Sequence, residues 1–526
     1  MRFLIFFFFM CACFVVLSQH ENKQQHNIDI LNYNLTLTIQ DKNNSIDGVE
    51  HILIRYKKEI DSFSLDLKGP LKKGANGMTV ISIKKGTIPV RFKQGVNRTV
   101  IYPTACDQEI DTFTIHYKGI PDDGLIIGKN KFNERTFFGD NWPTRASNWF
   151  ACIDHPSDKA TVDYTLIAPS HYQIVANGTK ESAIIKGKTQ TTHFKMNTPI
   201  PTKVMVFGAA NFIKETSQLG SIRITNYVYP SEEKKGLSDF MHTAQILSFL
   251  QNYIGDYPFT ELHNVQSTTT YGGMENAGCI FYDENAITGT QQIDELITHE
   301  LAHQWFGNSA TEADWTHLWL SEGFATFMTN LYILNSLGNT AFKKQLISDR
   351  NRVIQFYKQQ QLPLHDTISN SAKEMLNTNA YQKGAWVLQM LRNELGEELF
   401  KLVIRTYYNT YKFKNATTND FFSIACEESQ KDLHQFQHQW TSQKGHPKLK
   451  ISFTSSKNEH VISINQLQEN HFEFPLEIEI LYENGSVELK QLAITKKQEV
   501  LTLPFLFPIR TIKLDPNVKL LFEEIK

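Results

Sequence analysis

Three textures follow one another along the chain. From about 28 to 205, apolar and polar residues alternate in NYNLTLTI, VEHILIRY, FSLDL, VISIKK, FTIHYKG and VDYTLIA, with turn residues at short intervals. Period two with Thr and Val enrichment predicts antiparallel sheet. From about 206 the spacing becomes helical. DFMHTAQILSFLQNYIG, IDELITHELAHQWF, LWLSEGFATFMTNLYIL and YQKGAWVLQMLRNEL all carry an apolar face, which predicts a mainly α region to about 446. Alternation returns from 447 in KLKISF, HVISINQL and LEIEILYENGSVELKQLAI, where Asn484-Gly485 predicts a two-residue hairpin turn. The expected class is multidomain α+β: an antiparallel sheet domain over 19–205, a mainly α domain over 206–446, and a small β-sandwich over 447–526.

Length and composition agree with several domains. The chain has 526 residues, 41% of them hydrophobic and 21% charged, with a net charge of -2. That exceeds what one core supports, and the balanced charge gives no electrostatic footprint for nucleic acid. The opening MRFLIFFFFMCACFVVLS places one Arg before an apolar run, with Val16 and Ser18 at cleavage spacing. This predicts a secretory signal over 1–18, a mature start at Gln19 and no membrane span in the mature chain. The destination is periplasmic or extracellular; a short N-terminal anchor or lipid attachment at Cys13 is the alternative. Cys106, Cys152, Cys279 and Cys426 are widely spaced without CxxC, so buried free thiols are expected rather than a disulfide framework.

HELAH sets His299 and His303 four apart, on one helix face. Two imidazoles so placed can bind one zinc, with Glu300 beside them as a base. A third ligand is needed, and Glu322 in WLSEGFATF, on a second helix, supplies it; eighteen residues separate it from His303. His434 and His438 have the same spacing but no acid or third ligand, and read as a polar helix face.

YGGMEN, HELAH and WLSEG, in that order, resemble the aminopeptidase N family of zinc metallopeptidases (gluzincins), which includes the leukotriene hydrolase branch. WFACIDHPSDKATVDYTLIAP, AYQKGAWVLQML and QWTSQKGHPKLKIS extend the likeness over most of the chain. The resemblance implies a thermolysin-like catalytic domain, one zinc per chain and peptide substrates with a free N-terminus. It implies that Glu275 binds the substrate α-ammonium, and that Tyr381 donates to the oxyanion while Glu300 acts as general base. Tyr271, Gly272, Gly273, Met274 and Asn276 fall among the substrate-binding positions, with the glycines admitting close backbone approach and Tyr271 and Met274 walling the first pocket.

Two departures stand out. The family's second ammonium ligand, ten residues before the cysteine matching Cys152, aligns with Trp142 in GDNWPTRASNWFAC; Asp140 or Asn141 could take its place, or Glu275 acts alone. Many relatives also continue into a large helical domain after the sandwich, which leads to the expectation of a more open site here. Epoxide hydrolysis needs a lipid channel that this domain helps to build, and an inactive peptide-binding relative has no reason to retain all five of His299, Glu300, His303, Glu322 and Tyr381.

Overall fold

A computed structural model describes residues 27–103 and 109–526. The signal segment and Cys106 lie outside the described residues. An eight-stranded sheet is the largest element of the first region. Its strand Ile46–Tyr56 buries every second residue along most of its length, the pattern of a sheet packed on one face and wet on the other. Pairing is antiparallel except between Ile28–Thr38 and Lys159–Pro169, which run parallel from Asn32 opposite Thr161 to Thr38 opposite Ile167. Local alternation cannot reveal that pairing, because it depends on a crossover more than a hundred residues long.

A four-stranded sheet joins Leu125–Lys129, Arg135–Gly139, Gln173–Ala176 and Phe207–Ala210. Strand pairing of the first region therefore runs on to Ala210, past the 205 expected from the texture. Phe138 of this sheet meets Phe281 of the next region edge to face, with centroids 5.4 Å apart.

The middle region also holds a five-stranded sheet that periodicity did not predict, with the helices Glu233–Asp239 and Thr243–Ile254 inserted between its strands Ile222–Val228 and Glu261–Ser267. Its order is Ile213–Leu219, Ile222–Val228, Glu261–Ser267, Cys279–Asp283 and Gly273–Met274. Glu261–Ser267 is buried along its whole length, so it shows no alternation. The helices that follow include Asp294–Ala302, Gly384–Leu395 and Glu397–Tyr411. The stretch Trp319–Gln359 is two helices, broken at Gly338 (φ 80°, ψ 178°). No described helix is long and apolar enough to cross a membrane.

The last region is a sandwich of a four-stranded and a three-stranded sheet. Its hairpin between Phe474–Tyr482 and Val487–Ile494 closes over 483–485, with the Tyr482 N–H donating to Ser486 O (3.0 Å) and Gly485 at φ 86°. This is a three-residue loop with a left-handed glycine, not the two-residue turn that Asn-Gly predicts. Arg350 anchors the sandwich to the helices, 2.6 Å from Asp515 and stacked over Trp386 and Phe522. Cys152 and Cys279 are buried free thiols as expected, and Cys426 is free but half-buried.

Candidate metal centre and peptide site

His299 lies in the last turn of Asp294–Ala302 and His303 caps it. Their Nε2 atoms face each other at 3.2 Å, and Glu322 Oε2 is 3.4 Å from His299 Nε2 and 3.3 Å from His303 Nε2. Ligand atoms around a tetrahedral zinc with bonds of about 2.0–2.1 Å stand about 3.3 Å apart, so the three residues fit that ion without rearrangement. Among the described residues this is the one group of three His, Cys, Asp or Glu whose ligand atoms come so close together. The His303 Nδ1–H donates to the Phe306 carbonyl (3.1 Å), with the Ser321 hydroxyl also at 3.1 Å. The carbonyl can only accept, so it fixes the tautomer and leaves Nε2 its lone pair. Although burial opposes it, the two imidazoles hold Glu322 well below the usual carboxylate range. His434, by contrast, is exposed and bonded to Asp432.

Glu300 is buried beside the triad, and burial pushes its carboxyl well above the usual range. Its place is kept open by Gly273: a Cβ there would collide with the Glu300 carboxylate. Gly273→Ala is therefore expected to displace Glu300 and lower kcat about 10²-fold, the effect of a misplacement of about 1 Å. Unchanged zinc content beside the lower kcat checks that the damage is confined to the acid.

The YGGMEN stretch is not a free loop. Gly273 and Met274 pair with Tyr282 and Phe281 as the edge strand of the five-stranded sheet, and the Asp283 N–H donates to Gly272 O (3.0 Å). The backbone carbonyl of Glu275 accepts from Gln304 Nε2 (2.9 Å) and Asn308 Nδ2 (2.6 Å), both just beyond HELAH. These amides, which sequence reasoning missed, tie the acid to the metal-binding helix. The only hint of them was two polar residues following an apolar-faced helix. The Glu275 carboxylate is buried, and its Oε1 has no hydrogen-bond partner. Burial pushes this carboxyl up; the charges of His303 and Lys203 act in the opposite sense. Lys203 is itself buried against Glu312 and lies 5.3 Å from the Trp315 ring centroid. Asn276 is fully buried, with both side-chain polar atoms unpaired.

Tyr381 stands on a π-turn, Asn379–Lys383, an irregularity common at functional sites. The turn approaches the Glu322 helix closely because Gly323 and Gly384 face each other; a Cβ on either would lie 2.9 Å from the other's Cα. The Tyr381 ring stacks on His299 at 5.8 Å and 13°. Burial, then the charge of Glu322, keeps its phenol protonated far above neutrality.

His299, His303, Glu322, Glu300, Glu275 and Tyr381, with Tyr271, Gly272, Gly273 and Met274, line one cavity of about 240 Å³, whereas Asn276, expected among the substrate-binding positions, is buried behind its neighbours and not in that lining. Trp142 completes its wall, edge-on to Tyr271 and Trp315. Asp140 and Asn141 do not take over a ligand role. Asp140 is bonded to Arg145 and Thr270, and Asn141 to Trp149 Nε1 and the carbonyls of Thr202 and Met205. Both are fully buried and committed to structure.

Two family models match the chain: the Peptidase M1 N-terminal domain over residues 30–204 and the Peptidase family M1 domain over residues 239–440. The chain belongs to peptidase family M1. Among curated relatives of this M1 chain, a probable aminopeptidase 2 from Sulfurisphaera tokodaii is 25% identical over 447 residues, covering 82% of this chain and 55% of the relative. Glutamyl aminopeptidase from Bos taurus is 30% identical over 333 residues, covering 59% of this chain and 34% of the relative. The M1 chain thus spans about half the length of the first and about a third of the second. Of solved structures, aminopeptidase A from Legionella pneumophila in complex with aspartic acid superposes with a TM-score of 0.81 at 16% identity, over 96% of this chain and 60% of that one. A mutant of the M1 zinc metallopeptidase from Deinococcus radiodurans gives 0.68 at 21% identity, over 80% of this chain and 96% of that one. These two establish the fold of the M1 chain.

Proposed function

We propose that the chain is a zinc-dependent aminopeptidase that removes N-terminal residues from peptides. The observation that carries this reading is the buried Glu275 carboxylate, unpartnered at Oε1, in the same cavity as the His299, His303 and Glu322 triad. A peptide ammonium entering that cavity loses its water and requires a charged acceptor, and charge-assisted hydrogen bonds are the strong kind. Fixing the amine fixes which peptide bond reaches Glu300, so cleavage stops one residue in.

His299, His303 and Glu322 would hold the zinc, which supplies Lewis acidity towards the scissile carbonyl when bound. Glu300 takes the proton of the attacking water and returns it to the leaving amine; its raised proton affinity suits both transfers. Tyr381, protonated at working pH, donates its O–H to the developing oxyanion. The indole of Trp142 and the ring of Tyr271, packed edge to face, wall the same cavity. Export through the segment 1–18 belongs to the same proposal.

Release of free amino acid from short unblocked peptides by the zinc-loaded chain tests the reading. Appearance of internal fragments with no free amino acid contradicts it. In the same assay, Tyr381→Phe is expected to lower kcat about 10²–10³-fold, as loss of one oxyanion donor does, and to leave KM near its wild-type value.

A further inference from the structure

The five-stranded sheet carries a second cavity, of about 260 Å³, which shares no lining residue with the peptidase cavity. Three neighbouring strands build its floor in register. Thr216 stands opposite Thr225, and Thr225 beside His263; Lys214 faces Tyr227 in the next row, and Arg223 stands beside Glu261 on the other side. Period two puts all of these on one face of the sheet. Lys180, paired with Phe194 across the N-terminal sheet, closes the cavity from above.

The charges do not balance. Arg223 is engaged by Glu261 through two hydrogen bonds, but among the described residues Lys180 and Lys214 have no carboxylate within ion-pair distance. Burial and the charge of Lys214 push the Lys180 ammonium below its ordinary range. His263 is only 5% exposed, and the Gly178 backbone is the one hydrogen-bond partner beside its ring. Its other ring nitrogen is left without a partner, which is uncommon for a buried polar atom unless a ligand or water completes it. Burial, with Arg223 nearby, holds this ring down at about 4, so at neutral pH it is uncharged, its one N–H directed to the Gly178 backbone. The Thr216 and Thr225 hydroxyls lie 3.2 Å apart; one donates to the other, which keeps its own proton to give.

We propose that this cavity binds a small tetrahedral oxyanion, phosphate or sulfate, free or at the end of a monoester. Lys180 and Lys214 grip it at the rim, and Thr225 donates its hydroxyl proton to it at the floor. Ammonium and hydroxyl donors converging from both sheets suit an anion with acceptor oxygens in all directions better than a planar carboxylate. The space exceeds that of several waters of about 30 Å³ each, which leaves room for an ester substituent.

Calorimetric titration of the zinc-loaded full chain with inorganic phosphate and with glycerol 2-phosphate, at constant ionic strength, tests this beside the double variant Lys180→Gln/Lys214→Gln and the single variant Thr225→Val. One equivalent is expected to bind the wild type and raise its Tm. Binding should weaken at least about tenfold in the double variant, as expected when charged partners are lost, and measurably in Thr225→Val. Phosphate can also meet the zinc centre, so peptide hydrolysis is followed in parallel; inhibition there should be the same in all three proteins. Tighter binding of glycerol 2-phosphate assigns the site to monoesters, and tighter binding of inorganic phosphate to the free ion. Equal binding by wild type and double variant, or no saturable binding outside the zinc centre, overturns the assignment.

Discussion

Glu300→Gln is expected to lower kcat about 10²–10⁴-fold, the range that a positioned general base contributes. The amide keeps the volume of the acid and its fit against Gly273, where there is no room for even a Cβ. It cannot accept the proton of water. Zinc content should stay at one per chain, because Glu300 is not in the triad and the ligand atoms of His299, His303 and Glu322 already face one another. Metal analysis beside kcat on one unblocked peptide checks both halves. A variant that keeps its kcat would remove Glu300 from the chemistry.

Glu322→Ala acts earlier, on the metal itself. Loss of a residue that merely supports a ligand typically weakens metal affinity about 10–100-fold. In the proposed centre Glu322 is itself a ligand and the only anion of the three, so the expected loss is larger, with activity gone at micromolar zinc. Its removal also leaves His299 and His303 facing each other without the carboxylate that both approach. Zinc retained after dialysis, with full activity, would show that the third ligand lies elsewhere.

The metal ligands were the most legible part of the sequence, because a four-residue helical spacing is a geometric statement. His299, His303 and Glu322 converge as that spacing demands. Tyr381 was a different case. Nothing in its own surroundings marked it, since it stands on a π-turn whose approach depends on the pair Gly323 and Gly384, far apart in the chain. It was found only through resemblance. Strands wet on one face were read from alternation, whereas Glu261–Ser267, buried on both faces and rich in polar residues, left no period to read. The supports of Glu275 were hidden for the same kind of reason. Gln304, Asn308 and Lys203 act across distances in sequence that only the folded chain closes. Trp142 shows the limit of carrying a family pattern across: the aligned position holds an indole in the cavity wall, and the neighbouring Asp140 and Asn141 serve the backbone.

The central claim is that Glu275 makes the enzyme read a free amine. The most direct measurement is cleavage of matched unblocked and N-acetylated peptides by the wild type and by Glu275→Ala. The wild type should release amino acid from the unblocked peptides alone, and the variant should lose most of that activity, about 2–5 kcal/mol in kcat/KM for a buried charge pair broken on one side. Equal cleavage of acetylated peptides by the wild type, or an undiminished preference for the free amine in the variant, would contradict the account.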